Sequence, residues 1–267
     1  MNFTLNILGI ASAMPIADRN SSAQVLNVHG RLFLIDCGEG VQKSFRIAHL
    51  SFLKVEAVCI SHIHGDHLFG LFGFLSTMAM LGRKEDLHIY APENFAPVLD
   101  FYRNCYGEGD GFAIVFHPLT MTEPEIVHCS KHVRITAFPL RHRIECYGFR
   151  FDSVPSPKHP ADLPFEPVSY AYCSDTEPFP ELASWVRGVH TLYHESTYTQ
   201  RYEDKARQYH HSTAAEAAAC ALDAGVGRLL LGHYSSRERD LSVYESEARA
   251  VFPESYAADE GDVFEIH

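Results

Sequence analysis

The chain has 267 residues, long enough to bury a sizeable core, and its 46% hydrophobic content is ordinary for a globular protein. A formal charge of −12 argues against a nonspecific polyanion binder, because such affinity rests on Lys and Arg neutralising phosphates. No apolar run approaches membrane-spanning length, and the start reads as an alternating strand (Phe3, Leu5, Ile7) rather than a signal peptide.

After that strand the sequence predicts a hairpin over 24–28 and 32–35, a helix over 40–48 and a strand over 55–60. A helix over 68–81, a strand over 88–90 and a helix opened by Pro92 and Glu93 and running to 102 come next; proline suits a first helical turn. Strands are expected near 113–117, 133–139, 147–151 and 170–174. The last third holds a helix over 181–186, a strand over 189–194, an alanine-rich helix over 213–224 and a strand over 228–231. Mixed elements in this order suit a layered α/β protein. With no Gly/Ser-rich linker, charge block or repeat, one domain over 1–267 is expected. The seven cysteines are scattered with no CxxC pair, which favours buried free thiols in a reducing cytoplasm over a disulfide framework.

Ser61-His62-Ile63-His64-Gly65-Asp66-His67 is the most informative stretch. It puts three imidazoles and a carboxylate directly after an apolar strand-like run, where a short loop can aim them into one pocket. That donor set suits Zn²⁺ or a related divalent ion. The plainer alternative is a solvated loop, but Leu68, Phe69, Leu71, Phe72, Phe74 and Leu75 imply burial, and buried histidines need partners. His142, Asp175 and His233 each follow a β-like run, as ligands at the rim of a sheet would. Taken singly, either histidine is as readily a hydrogen-bonded core residue, and Asp175 a turn or cap.

The SHIHGDH stretch resembles the HxHxDH signature of the metallo-β-lactamase fold, and nearly the whole chain is similar to the ribonuclease Z (tRNA 3′-processing endonuclease) family. The resemblance rests on LGIASAMPIADRNSSAQVL, RLFLIDCGEGVQ, SHIHGDHLFGLFGFLSTMAMLGR, FPLRHRIECYGF, AYCSDTEP, HEST, HHST and LGHYSSR, in family order. It implies a four-layer αββα sandwich and two divalent ions, most often zinc, with manganese or iron as alternatives. His62, His64 and His142 would hold the first ion, Asp66, His67 and His233 the second, and Asp175 would bridge. Asp66 would also orient the attacking water or accept its proton, with in-line attack on phosphorus leaving a 3′-hydroxyl and a 5′-phosphate on RNA. His211 is similar to the family's catalytic histidine and Glu195 to the acid that orients it, with His210 the adjacent competitor. Ser212 or Thr213, with Glu216, would cap the alanine-rich helix. Arg237 matches a phosphate-binding arginine, though a surface turn explains it equally well. Asp36 would orient a ligating histidine, and Gly38 and Gly40 would serve tight backbone geometry. Phe72 stands where the family has proline. The family is usually dimeric.

One departure matters. Residues 143–174 occupy the place of a long glycine- and lysine-rich arm that grips tRNA in bacterial relatives; here 151–169 is proline-rich with a single lysine, Lys158. Arg141 and Arg143, and separately Arg201, Lys205 and Arg207, offer local positive charge, the second group reading equally as a solvated helix face. Three expectations stand: a ribonuclease Z-type phosphodiesterase acting on tRNA 3′ ends, a phosphodiesterase for cyclic or other small nucleotide-like diesters, or a non-catalytic metal-binding protein.

Overall fold

The computed structural model describes residues 3–106, 111–155, 165 and 167–267. In its first half β1 (Phe3–Gly9), β2 (Ala23–Val28), β3 (Arg31–Ile35), α1 (Val41–Ile47), β4 (Val55–Cys59), α2 (Gly65–Leu68), α3 (Leu71–Met80), β5 (Leu87–Pro92), α4 (Ala96–Tyr106) and β6 (Ile114–Leu119) follow one another. The second half runs through β7 (Glu125–Cys129), β8 (Val133–Leu140), β9 (Cys146–Ser153), β10 (Ser169–Cys173), α5 (Leu182–Trp185) and β11 (Thr191–Glu195). It closes with α6 (Glu203–Tyr209), α7 (Ala214–Ala224), β12 (Arg228–Gly232), α8 (Leu241–Arg249), β13 (Ser255–Ala257) and β14 (Val263–Glu265).

The strands form two seven-stranded sheets, ordered β14-β1-β2-β3-β4-β5-β6 and β13-β12-β11-β10-β9-β8-β7. Each is antiparallel on one side and parallel on the other: β3, β4, β5 and β6 run parallel, as do β10, β11, β12 and β13. Parallel strands covered on both faces read as continuous buried runs, and β10 and β11 are buried at every position. Phe3, Leu5, Ile7, Phe33, Ile35 and Tyr90 meet Ile135, Phe149, Phe151 and Tyr170 in one core cluster. The opposite side chains, Val25, Leu34 and Val58, pack with Phe45, Phe74 and Leu99 of α1, α3 and α4. On the second sheet α7 contributes Ala214, Ala217, Ala218, Ala221 and Ala224 to the core. Helix, sheet, sheet, helix is the expected αββα order.

One predicted helix is interrupted. Instead of running over 68–81, the chain forms α2 and α3 with Phe69 and Gly70 between them. A continuous helix would direct the His67 carbonyl to the Leu71 amide. The backbone of Cys37 takes it instead, donating to His67 O at 2.8 Å and accepting from Gly70 N at 2.9 Å. Side chains cannot fit this crossing: a Cβ on Gly70 would lie 2.0 Å from Gly38 O, and one on Gly38 would lie 2.5 Å from Asp66 O. Phe72 falls in the first turn of α3 and stacks on Tyr102 at 5.3 Å.

Candidate active site

Strand ends at one edge of both sheets deliver the site. The stretch 61–67 leaves the end of β4; His142 follows β8, Asp175 follows β10, Glu195 ends β11 and His233 follows β12. His62, His64, His142 and Asp175 form one group of candidate ligands, Asp66, His67 and His233 a second, and Asp175, His211 and His233 a third. Asp175 lies between the first two: Oδ2 is 3.7 Å from His62 Nε2 and 3.8 Å from His142 Nε2, while Oδ1 is 3.4 Å from His67 Nε2 and 3.2 Å from His233 Nε2. Every histidine and aspartate expected at the metals is therefore in one cluster.

Hydrogen bonds set which nitrogen each ring presents. His67 donates from Nδ1 to Asp36 Oδ2 at 2.7 Å, and His142 from Nδ1 to the His210 carbonyl at 3.0 Å. His233 Nδ1 bonds Thr197 Oγ1 at 2.8 Å, and His62 Nδ1 bonds Ser61 Oγ at 3.0 Å. Each leaves Nε2 facing the cluster, the arrangement ligating imidazoles adopt. Asp36, fully buried, also accepts from Ser61 N, Ser61 Oγ and Tyr172 OH. It holds the loop and His67 together, as expected of it. Asp66 Oδ2 accepts the Ala13 amide at 2.7 Å, and Ala13 takes φ 64° to present it.

The donors fit divalent cations. Among the described residues, His142 Nε2 and Asp175 Oδ1 are buried with no hydrogen-bond partner, an expensive state unless a ligand satisfies them. His67 and His233 bring their Nε2 atoms to 3.1 Å, which requires positive charge between them. The cluster draws such charge strongly. Burial pushes the His67 ring down, yet Asp175, Asp66 and Asp36 outweigh it and lift its pKa well above the usual value. Asp66 and Asp175 stay far below the carboxylate range; burial opposes this, and the neighbouring imidazoles overcome it.

Beside the cluster, His211 donates from Nδ1 to Glu195 Oε1 at 2.9 Å. Oε1 also accepts the Thr176 and Ser212 amides, and Oε2 accepts the amide and hydroxyl of Thr197. Burial drives His211 toward the neutral form, but Glu195 and Asp175 prevail and raise its pKa to about 9. Between the two adjacent histidines the geometry distinguishes clearly: His210, at φ 58°, turns its ring to Glu177, 2.7 Å away. Thr213 caps α7 in a capping box with Glu216, which fixes the loop carrying His211. Arg237 is exposed and sits beside Tyr198, whose ring is 6.0 Å from that of His211, so it lies at the rim rather than in the cluster.

Thr197, Tyr172 and Ser174 escaped the sequence reading. Thr197 sits in HEST two residues after Glu195, and only the β11–β12 pairing reveals that its hydroxyl reaches His233 as well. The residues 156–164 and 166, including Lys158, lie outside the described residues.

An αββα sandwich with paired His/Asp groups at one end of its sheets defines a metal-dependent hydrolase of the metallo-β-lactamase fold. Residues 3–251 match the family model described as anti-Pycsar protein Apyc1. The chain is 38% identical to the ribonuclease Z of Bacteroides thetaiotaomicron, covering 97% of this chain and 93% of that one. It is 35% identical to the ribonuclease Z of Porphyromonas gingivalis strain W83, covering 97% of each. Among solved structures, human tRNase Z, short form (ELAC1), superposes with a TM-score of 0.83 at 26% identity over 99% of both chains. The Bacillus subtilis metallo-β-lactamase fold protein YhfI gives 0.80 at 20% identity over 99% of this chain and 100% of that one, a likeness of fold. The chain belongs to the family that the Apyc1 model describes and to the ribonuclease Z family.

Proposed function

We propose that this protein is an endonuclease that trims the 3′ ends of tRNA precursors, leaving a 3′-hydroxyl on the tRNA and a 5′-phosphate on the trailer. His62, His64 and His142 would hold one ion, Asp66, His67 and His233 the other, with Asp175 shared between the two groups. Zinc suits this imidazole and carboxylate set best, with manganese and iron(II) compatible. When bound, the ions supply Lewis acidity to the phosphodiester and acidify a water. Asp66, steadied by the Ala13 amide, would orient the attacking water or accept its proton. His211, held by Glu195, gives its proton to the O3′ atom as the P–O3′ bond breaks. Arg237 at the rim takes a neighbouring phosphate.

The Glu195–His211 pair carries this reading: a site that merely stores metal has no use for a fully hydrogen-bonded acid–base pair at its edge. The same pair weighs against the non-catalytic alternative. Such an enzyme works in the cytoplasm, in accord with free cysteines throughout the described residues, and as a homodimer whose second subunit adds RNA-binding surface.

A second reading keeps the chemistry and changes the substrate to a cyclic or other small nucleotide diester. Its support is the short interval 143–174, the charge of −12 and the length of the relatives. The alignment to the B. thetaiotaomicron protein runs over 299 positions while taking in 97% of 267 residues, so that relative carries residues this chain lacks. Loss of a distant clamp weakens binding of a large substrate without disabling phosphodiester cleavage. Assaying bis(p-nitrophenyl) phosphate beside a 3′-extended tRNA precursor separates the readings. Cleavage of both at the expected RNA position supports the first, cleavage of the small diester alone supports the second, and inertness of the metal-loaded protein overturns both.

A further inference from the structure

A second cluster of imidazoles lies away from the active site, where the first sheet's edge meets the second's. His88 and Tyr90 share one face of β5, and β6 pairs in parallel with His88 opposite Val115 and Tyr90 opposite His117. His88 and His117 are therefore diagonal neighbours on rigid strands, and His88 Nδ1 lies 2.9 Å from His117 Nε2. The separations of paired candidate ligands in the active site are 2.9 Å for His62 Nε2 and His64 Nδ1 and 3.1 Å for His67 and His233. Two nitrogens at bonding distances of about 2.0–2.1 Å from one ion, roughly at right angles, stand about 2.9 Å apart.

The surroundings fix these rings. Tyr90 stacks on His117 with centroids 4.4 Å apart, and its hydroxyl donates to His128 Nδ1 at 2.8 Å. His128, from β7 of the other sheet, then donates from Nε2 to Glu56 at 3.3 Å. His88 and His128 line a cavity of about 480 Å³ together with Glu56, Glu85 and Asp86, which outnumber Arg31 and Arg83 on the same wall. The cavity opens beside His88, so water can reach an ion from the His88 side, and the acids favour a cation. Burial, then His88 and His128, keeps His117 below the usual histidine pKa, leaving a neutral ring at neutral pH.

We propose that His88 and His117 form a distal binding site for one divalent transition ion, Cu²⁺ or Ni²⁺ by ligand type, which ties the edge strand β6 to β5. The active-site ligands play no part in it.

The test strips the protein with chelator, dialyses it against low-micromolar Cu²⁺ and counts bound ions per chain by elemental analysis. Wild type is expected to hold one more ion than His88→Asn or His117→Asn, and its Tm to rise further with Cu²⁺ than theirs, in which only the active-site cluster is left to bind the ion. Both variants, reloaded with zinc, should hydrolyse bis(p-nitrophenyl) phosphate at the wild-type rate, which checks their fold. Equal ion counts in wild type and variants overturn the site. Paramagnetic broadening of the His88 and His117 ring protons reads it in the unaltered chain; signals that stay sharp through Cu²⁺ saturation overturn it without any substitution.

Discussion

At the residue scale, the site separates groups that would bind metal from groups that would move protons. Asp175 touches both ligand groups, whereas His211 reaches only its edge, 3.9 Å from Asp175. His211→Ala should therefore slow turnover by about 10²–10⁴, the usual worth of a positioned acid, while elemental analysis finds the metal retained. Asp175→Ala should lose metal; loss from both variants would overturn the division. Thr197 connects the two sets of groups, since its hydroxyl donates to Glu195 at 2.7 Å and accepts from His233 Nδ1 at 2.8 Å. Thr197→Val should weaken metal affinity by about 10–100-fold, as loss of a ligand's supporting partner does, and Thr197→Ser should restore it. Affinity unchanged in the valine variant would show that His233 needs no such support. That Glu195 would stand beside His211 could be expected from the resemblance of HEST and HHST to family motifs, but the hydroxyl linking it to His233 could not, because that contact joins residues 36 positions apart.

At the scale of elements, capping and strand ends turn sequence pattern into position. The Thr213 hydroxyl accepts from Glu216 N, and the Glu216 carboxylate returns to Thr213. Thr213→Ala should cost about 1 kcal/mol, or a Tm drop of about 2–4 °C in a chain of this size. Because His211 is two residues away, turnover should fall several-fold with metal content unchanged; an unaltered rate would mean that the cap is purely structural. Glu56 ties β4 to β7: its hydrogen bond to His128 lowers its pKa, and burial opposes this. A depressed carboxylate stabilises the fold above its unfolded value of about 4.3 and loses that contribution as pH falls through the folded value. In chelator, Glu56→Gln should therefore lower the Tm at neutral pH, by the equivalent of less than about 1 kcal/mol for a partly exposed pair, and the gap should close in acid. A gap that widened in acid would reverse the assigned sign. Elements with strong periodicity or punctuation were legible: the β2–β3 hairpin, β4, α7 and the strands preceding each ligand. Those missed were short or exposed. β13 and β14 have three residues each, and β7 is an exposed edge whose alternation a bulge disturbs. α8 did carry a signal, Asp240 capping ahead of Tyr244 and Ala248 on one buried stripe, but it was hidden behind a polar turn. The break between α2 and α3 could not be foreseen, since the Cys37 backbone that causes it lies some thirty residues earlier.

At the scale of the whole molecule, charge decides how a polyanion could be held. The described cations near the site are largely engaged: Arg141 pairs with Glu181 at 3.1 Å, Arg207 pairs with Glu203, and Arg143 lies over the Tyr209 ring. Arg207 is exposed on its helix and shares its charge with Glu203. Among the described residues, Arg237 at the rim and the ligand cluster are what the proposed reading leaves for phosphate. Each phosphate neutralised by a cationic side chain contributes about −0.7 to −0.9 to the slope of log affinity against log salt. Binding of a 3′-extended tRNA precursor to catalytically impaired His211→Ala should then show a slope shallower than about −3, equivalent to roughly three or four phosphates. Bis(p-nitrophenyl) phosphate hydrolysis by wild type should be nearly indifferent to the same salt range, because its single phosphate meets only the buried cluster. A tRNA slope steeper than about −6 would require an extended basic track that neither the sequence nor the described surface provides, and would place RNA recognition on the second subunit of a dimer. The slope measured on dimer and on dilute monomer distinguishes that case, since a track supplied by a partner vanishes when the subunits separate.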